Sequence, residues 1–205
     1  MNPHPVATVA GVPVSADEVD AAEARLRNAP GAAALPARGT SEGRQLRRWL
    51  TQLIVTNRVV AAEAAARGLT GLGAPTEDEV LPDATARLEI GSVAAATLAE
   101  PHARALFADV TAAVCVADED VADYHARNPL RFVSPLPDRH GWRMRPALGP
   151  PLGEVRSAIV EHLRGAARRR AFRVWLDARR AELVQLAAGY EHPGDPRQPD
   201  NTHRH

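Results

Sequence analysis

The stretch that decides the fold runs RQLRRWLTQLIVTNRVVAAEAAARGL, from Arg44 to Leu69. Its apolar side chains recur at intervals of three and four residues, the spacing of one face of a helix. Gly68 follows as a residue that ends helices readily, because it adopts left-handed backbone at little cost. The pattern predicts a helix over residues 42–67, with Trp49 as a core anchor. The apolar positions are Leu46, Trp49, Leu50, Leu53, Ile54, Val60 and Ala64.

A second helical pattern, PLGEVRSAIVEHLRGAARRRAFRVWLDARRAELVQL, extends from Pro151 to Leu186. One apolar face can be followed along almost its whole length, and further large side chains widen that face. The pattern predicts a long closing helix. The face comprises Val155, Ile159, Leu163, Ala167, Ala171, Val174 and Ala178, and Phe172, Trp175, Leu176 and Leu183 widen it.

The N-terminal region combines a strand signal with a helix start. Residues 6–14 are rich in Val, with a Gly-Val-Pro-Val turn signal at residues 11–14, and favour extended chain. Ser15 and Glu18 have the capping-box spacing, in which each side chain satisfies a free amide at a helix start. We therefore expect a helix from Ala16 that ends by Asn28, before Pro30 and Gly31.

The middle of the chain predicts shorter helices. Thr76 and Glu79 repeat the capping-box spacing. The Ala-rich residues 83–114 predict one or two helices with a break near Glu100-Pro101. Asp118 is expected to cap a helix over residues 119–127, which Asn128-Pro129 ends.

Composition sets the class of the protein. The chain has 205 residues, of which 45% are hydrophobic and 4% aromatic, so one core built from Ala, Leu and Val is expected. Such a core favours helices. We predict a mainly α protein with a minor short β element. A single domain would cover residues 1–188, and a polar, Pro-rich tail over residues 189–205 would be disordered.

Charge gives no indication of a polyanionic partner. The 25 acidic residues balance 25 basic ones, all of which are Arg, so no global field attracts nucleic acid or an anionic membrane. No apolar run is long enough to span a membrane. The first fifteen residues lack the basic start and apolar stretch of a secretion signal. We expect a cytoplasmic protein.

No sequence motif for catalysis or cofactor binding is present. The chain contains no nucleophile elbow, phosphate-binding loop, dinucleotide fingerprint or zinc-protease motif. Cys115 is the single cysteine and lacks neighbours with metal-ligand spacing, so we expect it to behave as a small buried hydrophobe. We predict no catalytic residue, no metal site and no cofactor.

Three segments together resemble a known family. They are residues 7–27 with 44–69, the closing segment 151–186, and VADEDVADYHARNPLRF over residues 116–132. Their order resembles the helical peptide-binding part of the SurA/PrsA-type chaperones, which trigger factor shares in general form. In that family a parvulin prolyl isomerase domain lies between such segments. Residues 134–150 are too few for that domain, so isomerase activity is not expected. The third segment matches at Asp118, Val121, Tyr124, Asn128 and Phe132.

The resemblance implies N-terminal helices packed on a long C-terminal helix, and a cradle for polypeptide. A concave apolar surface can bury the isolated apolar side chains of an extended chain without requiring one sequence. We therefore expect a non-catalytic chaperone or maturation factor whose partner is an unfolded polypeptide or one dedicated client protein. The candidate lining is Phe132, Leu136, Trp142, Met144 and Trp175, although all five also fit an ordinary core.

Two other functions remain open from the sequence. One is a small enzyme or accessory subunit with a pocket near Asp120, Tyr124, His125 and His140. The other is an adaptor that binds nucleic acid or an acidic partner through an arginine stripe, for which a solvated helix face with local ion pairs is the simpler interpretation. The stripe comprises Arg164, Arg168, Arg169, Arg170, Arg173, Arg179 and Arg180.

Overall fold

The computed structural model describes residues 5–132 and 149–191, and the chain there is mainly helical with one small sheet. The strands are β1 (Ala7–Val9), β2 (Val12–Val14) and β3 (Val184–Leu186). The helices are α1 (Ala16–Arg27), α2 (Ser41–Ala66), α3 (Glu77–Val80), α4 (Ala84–Ile90), α5 (Ser92–Thr97), α6 (Pro101–Val110), α7 (Asp118–Arg127) and α8 (Leu152–Leu183). A 3₁₀ turn, Ala32–Ala34, lies between α1 and α2.

The sheet joins the two ends of the described chain. Its strand order is β2-β1-β3, with both pairings antiparallel. Ala10 and Gly11 form the hairpin turn, and both have positive φ, as a tight hairpin turn requires. Val12–Val14 therefore forms a strand and not the predicted turn. Pro13 fits there because β2 is an edge strand that needs no further amide donor.

The first two long helices begin as the sequence predicts. Ser15 and Glu18 form the expected capping box, and α1 ends at Arg27. Thr40 caps α2 through the amide of Gly43. After α2 the amide of Leu69 donates to the carbonyl of Ala64, and Gly68 has a φ of 68°, so the predicted glycine stop is confirmed.

The chain between α2 and α8 is divided into more helices than expected. The capping box of Thr76 and Glu79 is present, but it starts only the four-residue α3. Residues 83–114 hold three helices where one or two were predicted, because Gly91, with a φ of 88°, separates α4 from α5. The expected break at Glu100-Pro101 separates α5 from α6.

The described residues form two apolar clusters, and α8 reaches both. We call the first the main body: it includes the sheet, α1, α2, α4 to α6 and the C-terminal part of α8, with Phe172 and Leu176 at its centre. We call the second the α7 arm: α7 packs on the N-terminal part of α8 around Val121, Val155 and Ile159. The 32 residues of α8 span about 48 Å, which lets one helix serve both clusters.

Two local predictions around α7 are wrong. Asp118 is the first helical residue and not the cap, and it pairs with Arg156 of α8. Cys115 is exposed, because residues 114–117 form an irregular connection on the surface between α6 and α7.

The C-terminal end of the described chain is held by α2. Arg48 donates from Nε to the carbonyl of Gly189, and Gln52 donates to the carbonyl of Tyr190. Gly189 and Tyr190, assigned to the tail from sequence, thus belong to the packed structure. Across residues 5–132 and 149–191, no helix combines the length and apolarity needed to cross a membrane.

Candidate peptide-binding groove

The α7 arm contains a cluster of three aromatic rings. The ring centroid of Tyr124 lies 5.3 Å from that of His162 and 6.2 Å from that of Phe132. Burial, followed by the charges of Arg131 and Arg169, lowers the pKa of His162. The imidazole is therefore neutral at pH 7 and packs as a third aromatic ring.

A cavity of about 280 Å³ opens between α7, α8 and the connection that precedes α7. Its apolar lining comes from the start of that connection and from one face of α8, and its charged lining comes from both helices. Tyr124 links the cavity to the aromatic cluster. The lining comprises Cys115, Val116, Asp120, Tyr124, Arg127, Leu163, Ala166, Ala167 and Arg170.

A second cavity of about 210 Å³ continues along α8 towards α4. Its lining consists of Glu89, Ala166, Arg170 and Arg173, so Ala166 and Arg170 belong to both cavities. The two cavities therefore adjoin along α8, and we call the pair the α8 groove. Small side chains at Ala166 and Ala167 keep its floor open, because a larger residue there would fill it.

Two arginines fix the point where the α7 arm meets the main body. Arg168 donates to Thr111 Oγ1 at 2.8 Å and lies over the ring of Phe107 at 4.9 Å. Arg169 is 6% exposed and donates from Nε to Glu89 at 2.9 Å. These contacts tie the C-terminal end of α6 and Glu89 of α4 to the same turn of α8.

The structure separates the predicted lining residues that it describes. Phe132 packs on Tyr124 in the α7 arm, beside the groove. Trp175 lies in the main body, with its ring 5.5 Å from Phe172 and the guanidinium of Arg67 over it at 5.6 Å. From Leu163 to Trp175 the rise along α8 is about 18 Å. Leu136, Trp142 and Met144 lie outside the described residues.

The proposed enzyme pocket is only partly assembled. Asp120 and Tyr124 line the same cavity, but His125 points elsewhere, with Nε2 2.9 Å from the carbonyl oxygen of Pro150. His140 lies outside the described residues. Within the described ranges, no group of three or more His, Cys, Asp or Glu side chains could hold a metal ion.

Four arginines of the stripe (Arg168, Arg169, Arg179 and Arg180) make contacts within the protein, while Arg164, Arg170 and Arg173 are exposed. Arg179 pairs with Glu63 at 2.5 Å, while Arg180 donates to Gln52. Partial burial lowers the pKa of Arg168 and also that of Arg180. With Arg169 buried as well, α8 does not present the continuous exposed stripe that its sequence spacing suggested.

A carboxylate in the main body was missed by the sequence analysis. Glu23 is 3% exposed and accepts from Arg27 at 2.7 Å, Arg47 at 2.8 Å and Arg38 at 3.1 Å. Burial alone would raise its pKa, but the hydrogen bonds from Arg27, Arg47 and Arg38 outweigh burial and lower the pKa to about 2. A cavity of about 470 Å³ lies beside it. Because three arginines bind one carboxylate, this cluster holds the connection after α1 against α2.

Comparison with known proteins gives one partial match. Residues 5–42 match a family described as "Family of unknown function (DUF7158)". The matched segment contains the β-hairpin, α1 and the connection into the first residues of α2, including Glu23 and Arg38. No curated protein and no solved structure matches the chain. The α8 groove lies outside the matched segment.

Proposed function

We propose that the protein is a non-catalytic chaperone or maturation factor of the cytoplasm, which holds an unfolded polypeptide or a dedicated client protein. The supporting observation is the α8 groove, in which two adjoining cavities share Ala166 and Arg170. Two adjoining cavities suit an extended polypeptide, because successive side chains can enter successive cavities. The resemblance to the SurA/PrsA-type helical segments supports the same function.

The composition of the groove suits broad recognition. Its floor consists of aliphatic and small side chains, with Leu163 and Ala167 contributed by α8. Apolar contacts are non-directional, so they tolerate many sequences. Because the cavities are small, each accepts one side chain, and affinity grows with the number of sites occupied. We expect Phe132 to support the groove through Tyr124 and Trp175 to stabilise the main body.

The experiment tests this function with a substitution that narrows the groove at its floor. Ala166→Leu adds three carbon atoms at the position shared by both cavities, and leucine is compatible with the helix. The matched control is Ala158→Leu, at an exposed alanine about two turns earlier on α8 that lines neither cavity. Binding of a fluorescein-labelled peptide, with leucines separated by glutamines, is measured by anisotropy.

The two variants distinguish the groove from the rest of α8. We expect Ala166→Leu to weaken binding about tenfold, which corresponds to the loss of about one apolar contact site. Ala158→Leu should bind like the wild type. Equal affinity in all three proteins would show that peptide does not occupy the groove.

A further inference from the structure

The second cavity of the α8 groove has an excess of positive charge. Arg170 and Arg173 are exposed and three residues apart, so they lie on the same face of α8. Glu89 is the acidic residue of the lining, but Arg169 occupies its carboxylate, with Nε and a terminal nitrogen each 2.9 Å from Oε2. Within residues 5–132 and 149–191, no carboxylate lies within ion-pair distance of Arg170 or Arg173.

The contacts of Arg173 leave its charge uncompensated. One terminal nitrogen of Arg173 donates to the main-chain carbonyl of Glu89 at 3.0 Å. A carbonyl is a neutral acceptor, and it orients the guanidinium without cancelling its charge. Two cationic groups thus line a cavity of about 210 Å³ next to the cavity of Leu163 and Val116. A carboxylate can accept hydrogen bonds from two guanidiniums, so its charge suits this pair.

We propose that the α8 groove selects polypeptide segments in which an acidic side chain lies close to an apolar one. The apolar side chain enters the cavity of Leu163 and Val116, and the carboxylate binds between Arg170 and Arg173. This inference rests on the proposed function and names the class of ligand that it takes.

The test compares three peptides of one apolar pattern that carry Glu, Gln or Lys at a single internal position. All have blocked termini, and a fourth Gln peptide with a free C-terminal carboxylate tests that source of negative charge. Binding to the full chain is measured by anisotropy at 50 mM and 500 mM salt. We expect the Glu peptide to bind about fivefold more tightly than the Gln peptide, and the Lys peptide to bind most weakly. High salt should reduce the differences.

The charge-reversal variant Arg170→Glu identifies the binding group. It should reverse the order, so that the Lys peptide binds more tightly than the Glu peptide. Its matched control is Arg164→Glu, at an exposed arginine of α8 that lines neither cavity, and this variant should keep the wild-type order. Circular dichroism verifies that both variants are folded.

Each result decides a specific point. Equal affinity for the Glu, Gln and Lys peptides would overturn the inference while leaving the proposed function intact, and so would the same effect from Arg164→Glu as from Arg170→Glu. Tightest binding of the free C-terminal peptide would replace the internal acid with a chain terminus and overturn the inference as stated. Absence of binding by every peptide would overturn the proposed function together with the inference.

Discussion

The two ends of α8 differ in what covers them. At the C-terminal end, Phe172 and Leu176 are buried in the main body among α2, α6 and the sheet. At the N-terminal end, Ile159 is equally buried, but its cluster holds only three buried side chains among the described residues. One helix therefore belongs to a large core and a small one. The α8 groove lies at the boundary between them, where neither core covers the face of α8 that carries Ala166 and Arg170.

The difference predicts unequal stability along one helix. A small cluster gains less from apolar burial, so it opens at a lower free energy than a large one. The α7 arm should exchange its amide hydrogens sooner than the main body. A binding groove at such a boundary can adjust its width to different polypeptides, because one wall can move while the other stays fixed.

The largest expected effect comes from Phe172→Ala. Phe172 is fully buried, with its ring centroid 5.3 Å from that of Phe107. Truncation should lower the global free energy of unfolding by about 4 kcal/mol, measured by urea denaturation.

Ile159→Ala removes a side chain that is equally buried in the α7 arm. It should instead abolish hydrogen-exchange protection in α7 while leaving the main body protected, and equal loss of protection in both regions would show that the cores are one.

Glu23→Gln should produce the next largest effect, and only in the main body. Neutralising this buried carboxylate removes the counter-charge of Arg27 and Arg38, while Arg47 keeps its pair with Asp20, and the change costs about 3 kcal/mol. The folded pKa of about 2 lies below the ordinary value of 4.5. The contribution of Glu23 is therefore fully present above pH 4.5 and is lost as the pH falls from about 4.5 to 2. Urea denaturation across that range should show the loss in the wild type, and a similar loss in the variant would contradict this assignment.

A smaller effect is expected in the α7 arm, which mild acid should destabilise. The folded pKa of His162 is lowered, so the unfolded arm binds a proton more readily than the folded arm. Stability is thus fully retained well above pH 6.5 and decreases as the pH falls below that value. Hydrogen exchange in α7, corrected for the intrinsic pH dependence, should show lower protection at pH 5.5 than at pH 7.5. His162→Phe keeps the ring and removes the proton site, so its protection should not change between these two values.

Much of the helical framework could be predicted from sequence, because it depends on local signals. The three-four spacing of α2 and the capping box of Ser15 and Glu18 act within one helix turn or between neighbouring turns. The strand β3 could not be predicted in this way. Val184–Leu186 continues the apolar pattern of α8, and only the free edge of β1 makes it a strand.

The groove could be predicted only in part, since it depends on contacts between distant residues. The apolar face of α8 is continuous in sequence, so the spacing does not tell where one core ends and the next begins. The sequence suggests a pocket near Asp120 and Tyr124, and these two residues do line one cavity. Arg169 and Glu89 lie 80 residues apart, and their pairing leaves Arg170 facing the groove without a partner among the described residues. No local pattern carries that information.

The central claim is that polypeptide occupies the α8 groove, and Cys115 tests it most directly. It is the single cysteine of the chain, it is exposed, and it lines the larger cavity of the α8 groove. The measurement is the rate of alkylation by N-ethylmaleimide with and without the leucine-glutamine peptide. If the peptide covers the groove, the rate should fall about tenfold at a peptide concentration ten times the Kd from anisotropy. An unchanged rate under conditions in which anisotropy shows the peptide bound would place the binding site elsewhere and contradict the account.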